Sequence, residues 1–188
     1  MANKDFAFGL KPVRTLGGTS NFTANEYDIA NNEASAIYQG SPVITTAAGG
    51  IDIAAASSTN IVGVFAGCSY TDPVSGDQVF SNYYPGSIAA DDIKAQVYDD
   101  PNIVFEIQCA GTLPANAVNA NADTSTPGNG STTTGVSQAE LSATVGTATA
   151  QLRIIGISKD PDNSDTASAN TNAYVIINEH AYRTTTGT

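Results

Sequence analysis

The chain has 188 residues, enough to bury one core without staples, and a net charge of −11. That charge argues against nucleic acid and anionic membranes as partners, because both require positive charge on the protein. Charged residues make up only 13%, about half the roughly 25% of typical soluble domains, and there is no Trp.

Residues 1–20 read as an extended N-terminal arm. Within residues 1–14, Lys4, Lys11 and Arg14 stand against Asp5 alone, while the rest has four basic residues against seventeen acidic ones. Phe6 and Phe8 add aromatic anchors, and Leu16-Gly17-Gly18-Thr19 forms a flexible joint. Aromatics and Arg concentrate binding energy at interfaces, so Lys4, Phe6, Phe8, Lys11 and Arg14 are the candidate partner-binding residues. The alternative is that both Phe side chains fold back on the arm's own domain.

Residues 21–182 read as a single β-rich domain, followed by a tail at 183–188. Short strands are expected at 26–29, 36–39, 43–46 and 51–53. The clearest hairpin spans 61–84: an apolar strand, a turn built on Pro73 and Gly76, and a return strand from Gln78 to Tyr84. Gly63 and Gly67 inside the first strand predict a bulge or a close backbone approach. Ser87 to Asp92 reads as one helical turn capped by Ser87, and Ile93 to Tyr98 as a strand. Ile103, Phe105, Ile107 and Cys109 alternate with Val104, Glu106 and Gln108, predicting a strand with one face buried and one wet. Residues 112–150 read as a contact-making loop excursion, with a short helix at 136–141. Strands return at 152–157 and 174–179. The fold class is mainly β, a small barrel, β-tulip or sandwich with long loops and little helix.

Chemistry is sparse. His180, the single histidine, follows a strand with no nucleophile motif near it, and reads as a strand-end residue hydrogen-bonded for structure. Cys68 and Cys109 read as buried free thiols. The Asp160–Asp165 run lacks the glycine and glutamate of a calcium loop and reads as a solvated turn. The pairs Asp91-Asp92 and Asp99-Asp100 suit turn and capping roles. No catalytic, cofactor-binding or metal-binding residue is assigned. Asn3, Lys4 and Asp5 interrupt the N-terminus where a signal peptide is apolar, so synthesis in a cytoplasm is expected.

The opening Phe8-Gly9-Leu10-Lys11-Pro12-Val13-Arg14 resembles the start of small head proteins of tailed bacteriophages, notably marine and cyanobacterial ones. Gly40–Val43, Asp99–Gln108 and Val175–His180 fit the same resemblance. It implies a capsid decoration, or cement, protein that is mainly β and not an enzyme. Its implied partners are the major capsid protein and further copies of itself, as a homotrimer or homodimer. Its implied location is the outer capsid surface of a virion assembled in the host cytoplasm. Such a clamp stabilises a shell by binding only the mature lattice, and multivalent docking raises its avidity. Two other readings stand beside it: a tail or fibre-associated virion component, and a carbohydrate-binding sandwich or adhesin using Tyr83-Tyr84 as its platform.

Overall fold

The computed structural model describes residues 2–20 and 22–183; Asn21 and the expected tail beyond Arg183 lie outside the described residues. Strands Lys11–Thr15 (β1), Asn25–Asp28 (β2), Ile37–Tyr38 (β3), Pro42–Thr45 (β4) and Ile51–Ile53 (β5) lead into the long Ile61–Thr71 (β6). Gln78–Ser81 (β7), Tyr83–Tyr84 (β8), Lys94–Tyr98 (β9) and Ile103–Gln108 (β10) follow. Three short pieces, Asn121–Ala122 (β11), Thr124–Ser125 (β12) and Glu140–Leu141 (β13), precede Leu152–Ile157 (β14) and Asn172–Ile177 (β15). Helix among the described residues is limited to two short 3-10 turns, Ala115–Ala117 and Ala181–Arg183. The chain is mainly β.

Two antiparallel sheets form a sandwich. The first runs β1-β10-β15-β14-β11; the second runs β2-β9-β6-β4-β5, with β7 also paired to β6. Phe105, Ile107, Ile154 and Val175 of the first sheet meet Ile61 and Val64 of the second in one core. A second core lies on the other side of the second sheet, where Val43, Val62, Phe65 and Val97 meet Ile37, Tyr84 and Ile93. The uninterrupted apolar run Ile61-Val62-Gly63-Val64-Phe65 therefore belongs to a strand buried on both faces. The glycines of β6 behave as their sequence predicts. A Cβ at Gly63 would lie 2.3 Å from the Tyr98 carbonyl oxygen, and the register with β9 slips between Phe65 and Gly67.

Four expectations need correction. β10 is not wet on one face: Val104 is fully buried and Gln108 is 1% exposed. Gln108 is closed off because N-terminal backbone lies over it. Residues 87–92 form no helical turn, because their ends are held by other segments: Ser87 sits at φ +55° with its amide donating to the Glu33 carbonyl, and Asp92 accepts from the Thr71 amide and hydroxyl. Residues 136–141 form no helix either. Ser137, Ala139 and Leu141 are buried while Val136, Gln138 and Glu140 are not, a period of two that belongs to extended chain. Tyr83-Tyr84 does not continue the return strand to β6 but pairs with β3.

The segment Gln39-Gly40-Ser41 joins the parts. Gly40 donates its amide to the Phe65 carbonyl and accepts from the Leu10 amide, each at 2.8 Å. Gln39 exchanges bonds with Gly135 and Ser137, and the Ser41 carbonyl accepts from Phe65 at 2.9 Å. Gly9 crosses this node at φ +69°, where a Cβ would lie 2.6 Å from the Gly40 oxygen and 2.8 Å from the Ser137 Cβ. Gly18 also has positive φ but has open space around it. Gly9→Ala should therefore cost about 2 kcal/mol or more in urea unfolding, combining left-handed strain with displaced backbone. Gly18→Ala should cost about 1 kcal/mol, the strain alone. Equal losses would contradict the crossing.

Candidate functional site

The basic N-terminal segment is extended, and its backbone is tied to its own domain. Asn3 Nδ2 donates to the carbonyls of Asp165 and Ala169, at 2.9 and 2.8 Å. The Lys4 carbonyl accepts from Gln108 Nε2 at 2.9 Å and Asn163 Nδ2 at 2.7 Å. The Phe6 amide donates to Gln108 Oε1 at 3.0 Å. Leu10 is 1% exposed within the inter-sheet core. Lys11 to Thr15 then adds β1 to the edge of the first sheet.

The five predicted residues separate into distinct environments. Lys4 forms an ion pair with Asp162, and that bond, with the Asp160 charge behind it, raises its pKa. Phe6 is 74% exposed on the fixed backbone. Phe8 is half-buried and lines two adjoining clefts. Lys11 is exposed and forms no ion pair among the described residues. Opposite it across the strand pair, Glu106 instead accepts from Ser158 Oγ at 2.7 Å. Arg14 is half-buried and donates to the Thr15 carbonyl at 3.3 Å.

A bulge aligns the two cations. Residues three apart on a regular strand face opposite sides. Here the register slips between Pro12 and Arg14, so Lys11 pairs with Glu106 and Arg14 with Val104. Those partners are two apart on β10, which puts Lys11 and Arg14 on one face. No spacing rule applied to the sequence finds this.

Of the two clefts that share Phe8 and Val136, one is apolar, about 250 Å³, and framed by Leu10, Pro12, Val64, Phe65 and Tyr98, with Lys11 in its lining. The other, about 670 Å³, lies between Asp5–Phe8 and the 126–140 segment. Glu140 lines that second cleft, its pKa raised by burial and by the nearby Asp5 charge.

The remaining chemical candidates hold structural positions. Cys68 and Cys109 are free and buried, in separate cores, and burial pushes the Cys68 thiol up to about 12. Carboxylates of the 160–165 loop cap local turns: Asp160 accepts from the Asp162 amide and Asp165 from the Ala167 amide, both at 3.0 Å. Asp99, 6% exposed, accepts from Asn25 Nδ2 and from Tyr27 Oη at 2.7 Å, tying β2 to the loop after β9. Tyr84 is fully buried, its hydroxyl donating to the Glu33 carbonyl, and Tyr83 stacks on Tyr38 at 5.7 Å. The Tyr83-Tyr84 pair thus offers no open double platform.

No family model, curated protein or solved structure matches this chain.

His180 is fully buried; its Nδ1 accepts from the Tyr182 amide at 3.2 Å, and its Nε2 has no hydrogen-bond partner among the described residues. Burial, helped by Arg183, pushes its pKa down to about 4, against weaker opposing fields from Asp99 and Asp100. Above pH 6.5 the ring is neutral in both folded and unfolded states. As pH falls from there toward about 4, the unfolded chain takes a proton the folded chain refuses, so stability drops by roughly 1.4 kcal/mol per pH unit. Urea midpoints at pH 7 and pH 5 should differ more for the native chain than for His180→Gln. Identical pH dependence in the two would contradict the buried neutral ring.

Proposed function

We propose that this chain is a non-enzymatic structural protein of a tailed-bacteriophage particle. In this reading it is a decoration protein that binds the outer face of the major capsid protein lattice and stabilises the mature head. The observation that carries the proposal is the docked N-terminal segment: a fixed backbone displays Phe6, Lys11 and Arg14, and neither cation has an ion-pair partner among the described residues. The same stretch bears the resemblance to phage head proteins. A backbone held in place before binding loses little conformational entropy on the shell, so side-chain contacts convert more fully into affinity. The shell patch such a surface fits combines an apolar hollow for Phe6 with carboxylates for Lys11 and Arg14. The acidic remainder of the chain repels its counterparts on other particles and favours dispersion.

The docked backbone also changes the informative experiment. Deleting residues 2–14 removes Leu10 from the core and most of β1, so loss of binding would only report unfolding. Point changes at exposed or half-exposed side chains avoid this. In reconstitution with undecorated heads, Phe6→Ala/Lys11→Glu/Arg14→Glu should bind about 100-fold more weakly while keeping its circular dichroism spectrum. Lys4→Ala should bind like the native chain, because Lys4 is already engaged by Asp162. Full-strength binding by the triple variant would overturn the proposal.

A further inference from the structure

The 126–140 excursion folds back on itself as a short hairpin. Gly130 bridges Ser137 in antiparallel sense, with the Ser131 amide donating to the Val136 carbonyl and the Gln138 amide to the Asn129 carbonyl. Cross-strand partners share a face, so Asn129 and Ser131 lie on the same side as Gln138 and Val136. The opposite side is closed: Ser137 is fully buried, and a Cβ at Gly130 would lie 2.2 Å from the Tyr38 ring. Glu140 continues the open side, two residues beyond Gln138. All five line the 670 Å³ cleft, and Asp5 and Phe8 belong to its other wall.

The polar side chains of this cleft are unengaged. Asn129 and Gln138 are exposed, and their side-chain amides make no hydrogen bond among the described residues, unlike the tethers Gln108, Gln151 and Asn163. Asp5 and Glu140 form no ion pair among the described residues. The Asp5 charge is felt at Glu140, so the two carboxylates face a common space.

The lining selects among ligands. Its two carboxylates repel phosphate and sulfate groups, and no cation lines it to offset them. A lone ammonium or guanidinium would satisfy the carboxylates but leave the amide donors of Asn129 and Gln138 unmatched. A metal ion finds too few ligands, since no group of three His, Cys, Asp or Glu suited to one exists among the described residues. Hydroxyl groups both donate and accept, so a polyhydroxylated ligand matches carboxylates, amides and the Ser131 hydroxyl together. Phe8 and Val136 supply an apolar wall for its C–H face. The volume lies within the roughly 300–1,000 Å³ of small-molecule sites.

We propose that this cleft binds a neutral oligosaccharide, its hydroxyl groups held by Asp5, Asn129, Gln138 and Glu140. The site goes beyond the capsid reading, stands without it, and is separate from the closed Tyr83-Tyr84 pair.

The test is a glycan array probed with the full chain, followed by titration calorimetry of the best-bound glycan. The array carries neutral hexose, N-acetylhexosamine and deoxyhexose oligosaccharides beside sialylated and sulfated ones. Neutral glycans should be retained and anionic ones should not. Asn129→Ala/Gln138→Ala should weaken binding by roughly tenfold or more, the loss of about two hydrogen bonds. Neither side chain fastens the fold, so the circular dichroism spectrum and urea midpoint of this variant should stay native. Phe80→Ala removes an 80% exposed ring outside the cleft and should bind like the native chain. An array with no neutral glycan retained would overturn the proposal. So would binding that survives Asn129→Ala/Gln138→Ala, or that is lost with Phe80→Ala. Capture of tetra-arginine that depends on Asp5 and Glu140, with no glycan bound, would also overturn it and assign the cleft to a cationic partner.

Discussion

The Gln39-Gly40-Ser41 node is the constraint on which the rest of the molecule depends. Three consecutive residues bond the N-terminal segment, β6 and the 126–140 excursion. Ser41 is fully buried, and its hydroxyl lies 3.1 Å from Ser137 Oγ. Two left-handed glycines crossing at close range admit no side chain, so Gly9 and Gly40 fix where the chain enters the body. Because that entry is fixed, Leu10 reaches the core, β1 reaches the edge of the first sheet, and Phe8 frames both clefts. The surface on which both functional proposals rest is thus a consequence of one backbone crossing.

Buried amide side chains perform the second layer of fastening. Gln151 is fully buried, and Oε1 accepts from the amide and hydroxyl of Thr124 while Nε2 donates to the carbonyls of Ala55 and Ser58. Gln108 does the same for Lys4 and Phe6, and Asn163 for Lys4 and Asn170. Each such side chain satisfies backbone groups of a neighbouring segment, most of them irregular chain such as 3–6, Ala55 and Ser58 that lies outside any strand. In a chain this poor in charged residues, neutral amides are the available material. Fully satisfied, they hold long loops against the sandwich.

The strands were legible where local pattern decides the outcome. The apolar runs at 61–70 and 152–157, the alternation at 103–109 and the turn chemistry of Pro73 and Gly76 all led to observed elements. Failures came where a distant segment decides. Nothing near Gln108 tells that the Lys4 and Phe6 backbone lies over it, so the outer face of β10 looked wet. The Ser87–Asp92 stretch carries helix-start residues, yet Asp92 accepts from the Thr71 amide and hydroxyl instead, closing the end of β6. The basic segment stands out in the sequence as an uncommon local composition. Its docking was not legible, because it depends on Gly40, Gln108 and Asn163, which are remote in sequence. The alignment of Lys11 with Arg14 needs the bulge at Val13 as well. Polar tethers and bulges have no periodic signature.

The central claim is that the N-terminal segment is a built part of the domain, presenting its side chains from a fixed backbone. Amide hydrogen exchange on the free protein tests this directly, because exchange rates report local opening residue by residue. The Phe6, Leu10 and Leu16 amides donate to Gln108, Gly40 and Asn102 respectively. They should exchange slowly, within the range of the β10 and β15 amides. Exchange of these three at the rate of an unstructured peptide, with β10 and β15 still protected, would contradict it.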